Sequence, residues 1–363
     1  MQKLIRVFIS RTELAIKRIF RDIILIGTWI SIERKSPVKL SLWQRWQALR
    51  HGFFTESYAL FFPDGQHNYT EYFSDYQQSL KMPVINERNG ILLADKTIFY
   101  DFMSPFHAYI PPLYGVIKQG KIVSLPEKYK IQHFEDIEKL LSEEKVLVFK
   151  PVSDYGGNGV IVPRLIEDQL FINQKLSDFG TLARELTRMK HYMIVKFVEQ
   201  HEYARRIFSG STNSIRILTM IDPETQEAFI ADIFHRFGTN KSIPVDNWKQ
   251  GGVLTHIDIE TGMLGDTIYR STDKKLLKMS FHPDSEAPVK GVIIPNWEFI
   301  KAKILEMAKF AYHCPYIGWD VVPQENGFYI LEGNDCPNVT QLYNPMLANP
   351  KIRKFYQFYG VVK

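Results

Sequence analysis

The chain has 363 residues, 45% of them apolar and 23% charged, with a formal net charge of +5 and two cysteines. Such a length accommodates two or three domains, and the balance excludes a disordered or fibrous chain. Cys314 and Cys336 cannot build a disulfide framework, and without a CxxC pair no zinc site is offered, so a reducing cytoplasm is expected. The positive charge is concentrated: residues 1–50 hold eleven Lys/Arg and three Asp/Glu, so they carry +8 and the remainder −3. A nucleic-acid enzyme more often spreads its basic residues along a cleft, and no nucleic acid is expected as a partner.

At the start of the chain, Leu4, Phe8, Ile16, Ile19, Phe20, Ile23 and Ile26 recur at helical spacing, with Arg6, Arg11, Lys17, Arg18 and Arg21 between them. No secretory signal is read in the first ten residues. The apolar stretch Ile23–Ile30 falls well short of the roughly 20 residues that span a bilayer. Two readings stay open for residues 1–35: a helix packed on the body, or a basic helix lying on the anionic inner face of the membrane. Residues 40–90 are rich in aromatics, with turn signals at Pro63-Asp64-Gly65 and Asn89-Gly90, and carry no recognisable chemistry. Beyond 91, short apolar runs predict strands at Val146–Phe149, Val160–Val162, Met193–Val198, Ile215–Ile221, Ala228–Phe234, Ile317–Val322 and Phe328–Leu331. Helices are predicted at Phe134–Ser142, Asp178–Lys190 and Trp297–Tyr312. Strand groups interrupted by single helices give an α+β fold of mixed α/β layers.

The segment from Val146 to Val162 reads strand, Lys150, glycine-rich loop, strand. Lys150 supplies a positive charge, while Gly156, Gly157 and Gly159 let backbone N–H groups approach phosphate oxygens. The loop lacks the Gly-Lys-Ser/Thr ending of a Walker A loop, and it leads into a strand where a Rossmann turn would open a helix. A hairpin able to fold over a nucleotide is one reading, and an ordinary glycine-rich turn is the other.

From Ile317 to Asn334 the pattern is a second hairpin. Glu332 and Asn334 lie two apart on a strand and share a face. A two-residue Asn326-Gly327 loop would pair Asp320 with Gly333, on the wrong face. A three-residue loop, Glu325-Asn326-Gly327, pairs Asp320 with Glu332, and this register is the one expected. Two carboxylates opposite each other are destabilising unless a cation lies between them. Ligands with oxygen alone, Asp320, Glu332 and Asn334, indicate Mg²⁺ or Mn²⁺.

These two elements in this order resemble the ATP-grasp superfamily, whose fold is two α+β lobes with the nucleotide between them. Lys150-Pro with Gly156-Gly-Asn-Gly159 resembles its phosphate-covering hairpin. Asp320 followed by Glu332-Gly-Asn334 resembles its metal pattern, and Val195-Lys-Phe-Val198-Glu199 its adenine- and ribose-binding lobe junction. Asp95-Lys96 is similar to the start of the nucleotide-binding part of D-alanine–D-alanine ligase-like members, where the lysine contacts phosphate. Asn213-Ser-Ile-Arg216, Arg236-Phe-Gly238, Val245-Asp246-Asn247 and Gly251-Gly252 resemble the sugar-transfer-associated group of the superfamily. The resemblance covers roughly residues 90–345. It implies a leading segment 91–145, a small lobe 146–199 and a large lobe 200–363, which follow the basic, aromatic and largely helical region 1–90 read from the residue pattern.

By this resemblance, Lys96, Lys150, Gly156, Gly157, Gly159, Val198 and Glu199 bind ATP, and Asp320, Glu332 and Asn334 hold Mg²⁺ (or Mn²⁺). Asn213, Arg216 and Arg236 are the candidate catalytic residues, and Asp246, Asn247, Gly251 and Gly252 the substrate-binding ones. D-alanine–D-alanine ligase-like members carry an arginine two residues before the metal aspartate; here that position is Gly318, and Arg216 or Arg236 would replace it. The implied activity is ADP-forming ligation of a carboxylate to an amine through an acyl phosphate, on a surface-polysaccharide sugar or precursor, in the cytoplasm. Two alternatives are a kinase with a hydroxyl, amide or histidine acceptor, His235 and His256 being candidates, and a non-catalytic ATP-binding partner of a glycosyltransferase system.

Overall fold

The computed structural model describes residues 27, 30, 31, 33, 34, 36, 38–62, 68–153, 159–270 and 276–363. The amphipathic stretch read over residues 4–26 lies outside them. Among the described residues no helix is long and apolar enough to cross a membrane. The chain divides into two compact units, one made of Met1–Ile85 with Asn338–Lys363, the other of Asn86–Pro337.

The first unit explains the aromatic stretch. Helix α1 (Leu42–Arg50) starts at Ser41, whose side chain accepts from the Gln44 backbone while Gln44 reaches back, a reciprocal cap. Helix α2 (Thr55–Phe61) follows. Ala48, Phe53, Tyr58 and Phe62 bury one another, and the Phe53 and Phe62 rings meet edge-on at 5.2 Å. The chain's end belongs to this unit, although the sequence reading put it in the large lobe: the Gln341 amide exchanges two hydrogen bonds with the Phe73 backbone, at 2.6 and 3.0 Å. A last helix, Pro350–Phe358, buries Ile352, Phe355 and Tyr356, and Tyr356 packs edge-on against Phe73 at 4.3 Å.

In the second unit, short helical turns at Glu87–Gly90 and Ile91–Ala94 lead into α3 (Lys96–Phe102), capped by the Asp95 carboxylate, which accepts from Thr97 and Ile98 N–H. Then come β1 (Leu113–Lys118), β2 (Lys121–Ile122), α4 (Phe134–Glu144), β3 (Leu147–Pro151), β4 (Pro163–Ile166), β5 (Gln169–Ile172), β6 (Lys175–Ser177), α5 (Phe179–Arg188) and β7 (His191–Lys196). They form an antiparallel sheet in the order β2-β1-β7-β3 and a three-stranded sheet β4-β5-β6. Ile137, Leu140 and Leu141 of α4 pack on Ile117, Leu147, Phe149 and Ile194 of the four-stranded sheet. The strand expected at Val160–Val162 is reduced to one bridge, Ile161 to Phe149. The Asn173 side chain accepts from Val162 N–H and donates to the Val160 carbonyl, taking the place a neighbouring strand would hold.

The rest of this unit is α6 (Glu202–Ile207), β8 (Ile215–Ile221), β9 (Ala228–Phe237), β10 (Val253–Ile257), β11 (Leu264–Arg270), β12 (Leu276–Met279), α7 (Trp297–Phe310), β13 (Tyr316–Gln324) and β14 (Gly327–Asn334). Its strands make a seven-stranded sheet, order β12-β11-β10-β9-β8-β13-β14, with every pair antiparallel. Ile300, Ile304, Met307 and Ala308 recur at helical spacing on α7 and are buried in one core with Ile215, Ile217, Ile233, Trp319 and Val321. Because strand side chains alternate, Trp319 and Val321 in that core put Asp320 on the opposite face, as Ile215 and Ile217 do for Arg216. That second face carries the polar cluster.

Candidate active site

Register assembles the cluster. Arg216 on β8 lies directly opposite Asp320 on β13, which lies directly opposite Glu332 on β14. The expected pairing of Asp320 with Glu332 is thus present, but by another route. The turn is the two-residue Glu325-Asn326, since Gln324 pairs with Gly327, and the register shifts between Asp320 and Val321. The extra residue is Leu331, a β-bulge. It lets Ile330, opposite Val321, enter the core while Glu332 turns to the polar face; in an unbulged strand the two would share a face. The Leu331 carbonyl accepts a 2.9 Å hydrogen bond from Lys150 Nζ.

Around this row the charges interlock. The Asp320 carboxylate accepts from Arg216 Nε at 2.5 Å and Nη2 at 3.2 Å, and from Arg236 Nη2 at 2.8 Å. Arg236 also donates to Ser214 Oγ, and its Nε lies 3.5 Å from Asp246. Asp246 in turn accepts from the Ser214 N–H and Oγ, at 2.8 and 2.5 Å. Lys96 Nζ pairs with Glu332 Oε2 at 3.3 Å, and the Lys96 N–H donates to the Val152 carbonyl, tying α3 to the end of β3. Asn334 Nδ2 donates to the Gly318 carbonyl at 3.1 Å. Beside Lys96 and Lys150 a small cavity has apolar walls of Phe99, Tyr100, Ile110, Met193 and Val195.

The electrostatics follow from this packing. Burial alone would raise the Asp320 carboxyl, but the two guanidiniums outweigh it and hold it at about 2. Burial, then the Lys96 charge, press the Lys150 ammonium down to about 8 against the opposing pull of Glu332 and Asp320. Arg236 is desolvated too, yet Asp246, Asp320 and Glu332 push its pKa above the usual arginine value. Asp246 is raised by burial, partly offset by Arg236 and Ser214.

Lys96, Lys150, Arg216, Arg236, Asp246, Asp320, Glu332 and Asn334 therefore come together. The other candidates stand around them. Gly156 and Gly157 lie outside the described residues, whereas Gly159 has φ of +73° and a Cβ there would meet the Tyr192 hydroxyl at 2.8 Å. Val198 is buried and Glu199 exposed just beyond β7, and the Glu199 carbonyl accepts from Gln324. Asn213 spends its amide on the protein itself: it donates to the Ala204 and Phe208 carbonyls and accepts from Gly238 N–H and Ser211 Oγ. These bonds hold the start of β8 in place. Asn247 caps a short helical turn by accepting from Lys249 N–H, and Gly252 fits where a Cβ would lie 2.6 Å from the Asp246 carbonyl oxygen. They shape the loop that presents Asp246. Of the two histidines weighed as acceptors, His235 is fully buried, between the Tyr203 hydroxyl and the Arg236 carbonyl. Two functional groups were missed, Ser214 and the Leu331 carbonyl; the first lay inside the Asn213–Arg216 motif.

Among the described residues no three His, Cys, Asp or Glu side chains cluster as a metal site. The candidate set is two carboxylates and an amide, all oxygen donors. Solved structures with distant likeness include D-alanine–D-alanine ligase from Bacillus anthracis, 12% identical with a TM-score of 0.39, covering 74% of this chain and 68% of that one. Biotin carboxylase from Campylobacter jejuni is 13% identical with a TM-score of 0.42, over 75% of this chain and 47% of its own. The ADP complex of PurK, N5-carboxyaminoimidazole ribonucleotide synthetase, is 11% identical with a TM-score of 0.37, over 72% and 52%. No curated protein matches the chain. The family model described as sugar-transfer associated ATP-grasp matches residues 75–355, most of the chain, and the chain belongs to that family.

Proposed function

We propose that this chain is an ATP- and Mg²⁺-dependent ligase that joins a carboxylate to an amine, releasing ADP, with a surface-polysaccharide sugar or its precursor as one reactant. The observation that carries the reading is a surplus of cations. Among the described residues, Lys96, Lys150, Arg216 and Arg236 gather around three carboxylates, Asp246, Asp320 and Glu332. Desolvated positive charge in excess is costly until an anion completes it, and the depressed Lys150 registers that deficit. A triphosphate meets it. The oxygen-only set of Asp320, Glu332 and Asn334 fits a hard divalent ion that takes its remaining ligands from phosphate and water. When bound, Mg²⁺ supplies charge neutralisation at the phosphates.

The chain's own groups then have separable tasks. Lys96 and Lys150 fix phosphate oxygens, and the Val195–Glu199 lobe junction takes the base on backbone groups and the ribose on Glu199. Arg216 and Arg236 turn planar forks toward acyl and phosphoryl oxygens. Asp246, through Ser214, keeps Arg236 aimed. Attack of a carboxylate on the γ-phosphorus gives an acyl phosphate and ADP; attack of the amine on the acyl carbon gives an amide and phosphate.

The test is ADP release by the purified chain with Mg²⁺, ATP and paired acids and amines, with the product weighed by mass spectrometry. Release requiring both partners, with a product lighter by one water than their sum, supports the ligase. A stable phosphorylated acceptor formed without amine overturns ligation and leaves a kinase, and lack of nucleotide binding overturns the whole reading.

A further inference from the structure

Helix α1 carries its apolar side outward. Leu42 is 87% exposed, Trp43 63%, Trp46 52% and Leu49 55%, while its one buried residue is Ala48. Leu42, Trp46 and Leu49 recur at i, i+4 and i+7, so they form one stripe, with Trp43 beside it. Arg45 and Arg50 flank the stripe on its two sides, and both are exposed, as is Lys39 just before the helix. The Arg50 guanidinium stands 5.1 Å from the Trp46 ring, a cation–π contact. A water-facing helix of nine residues ordinarily shows polar side chains; four large apolar ones in contiguity mark a binding surface.

We propose that this face of α1 binds an anionic membrane surface. Three features select that occupant. Indole rings with a polar N–H and an apolar body favour the level of lipid headgroups. Arginines bordering an apolar stripe reach phosphate oxygens while the stripe enters the acyl boundary. The surrounding segment is complementary in charge, since residues 1–50 carry +8 against −3 for the remainder. The contact rests on α1 itself and is independent of the ligase reading.

The experiment uses the full chain with extruded vesicles, either phosphatidylcholine alone or with about a third phosphatidylglycerol, in sedimentation and in quenching of tryptophan by brominated acyl chains. Wild type is expected to bind the anionic vesicles with quenching, and raised salt is expected to release it. W43Q/W46Q is expected to lower partitioning at least tenfold and to abolish most quenching. R45Q/R50Q should weaken it roughly 30-fold, each arginine near an anionic leaflet acting through a known electrostatic increment. All four positions are exposed, and an unchanged melting temperature checks the fold. Equal binding to neutral vesicles, or unchanged binding by W43Q/W46Q, overturns the proposal. So does self-association through α1 without vesicle binding, which makes a second copy the occupant.

Discussion

Replacing Asp320 by Asn tests the charge economy of the site most directly. The change keeps the shape but removes the anion that two guanidiniums share at 2.5 and 2.8 Å. Arg236 keeps Asp246 at 3.5 Å; Arg216 loses the partner directly opposite it in the sheet. The carboxyl held at about 2, against an ordinary 3.8, corresponds to about 2–3 kcal/mol of net favourable interaction after burial. Stripping one partner from a buried pair costs about 3–5 kcal/mol, within a total stability of about 5–15 kcal/mol. Asp320→Asn should therefore stay folded but lose about 3 kcal/mol in urea denaturation at pH 7.5, and should lose ADP release. The deficit has a pH sign. A depressed carboxyl contributes stability above its unfolded pKa and loses it as pH falls through about 2, so the gap between variant and wild type should close on acidification below about 4. Arg216→Met should cost less in the Asp320→Asn background than alone, with a coupling of about 1–3 kcal/mol. Additivity within about 0.5 kcal/mol would refute the argument, because Arg216 and Asp320 would then not be balancing each other.

Two further outcomes follow from desolvated charge, one in this cluster and one elsewhere on β9. Mn²⁺ added alone, read as loss of the free-ion electron paramagnetic resonance signal, should bind at least tenfold more weakly than with a non-hydrolysable ATP analogue, since among the described residues a dication meets four cations around three carboxylates; equal affinity would contradict the count of charges. Asp232, desolvated on β9 and raised to about 7, should destabilise the fold increasingly as pH rises from about 4 to about 7. Asp232→Asn should thus stabilise the protein at pH 8 by on the order of 3 kcal/mol and by little at pH 4, and a constant difference across that range would place Asp232 in water.

Helices α5 and α7 were legible because their signals are local. Asp178 caps α5 where it was expected, and the buried stripe of α7 lies in the sequence at helical spacing. The alternation that places Trp319 and Val321 in the core and Asp320 opposite is local as well. What could not be read depends on distant partners. Val160–Val162 has strand composition, but Asn173 occupies its edge. The aromatic run 40–90 looked featureless because part of what covers it, including Gln341 and Tyr356, is more than 260 residues away. Of the site, residue identities and the face shared by Glu332 and Asn334 were legible. The union of Lys96 with Glu332, and of Asp320 with Arg216 and Arg236, requires α3, β8, β9, β13 and β14 to meet, which no spacing encodes. The bulge is the sharpest case. A hairpin reading must choose one loop length for the whole ladder, whereas the extra residue at Leu331 lets a two-residue turn and the functional register coexist.

The absent arginine at Gly318 then has a physical explanation. A Cβ at that position would lie 2.6 Å from Pro337 Cβ and 3.1 Å from Arg216 Nη1. The space a side chain would need is taken first by the Pro337 ring and only then by the guanidinium of the adjacent strand. Since Gly318 and Asp320 share the polar face of β13, and Arg216 is the direct neighbour of Asp320 on β8, an arginine launched from β8 reaches the region that one launched from position 318 would occupy. Pro337 makes glycine the residue that fits at 318 whatever Arg216 does, and the guanidinium near Asp320 comes from β8 instead. The guanidinium beside the proposed metal aspartate is thus supplied from the neighbouring strand, and Asp320, fixed by that fork and by Arg236, is held in one orientation before any ligand arrives.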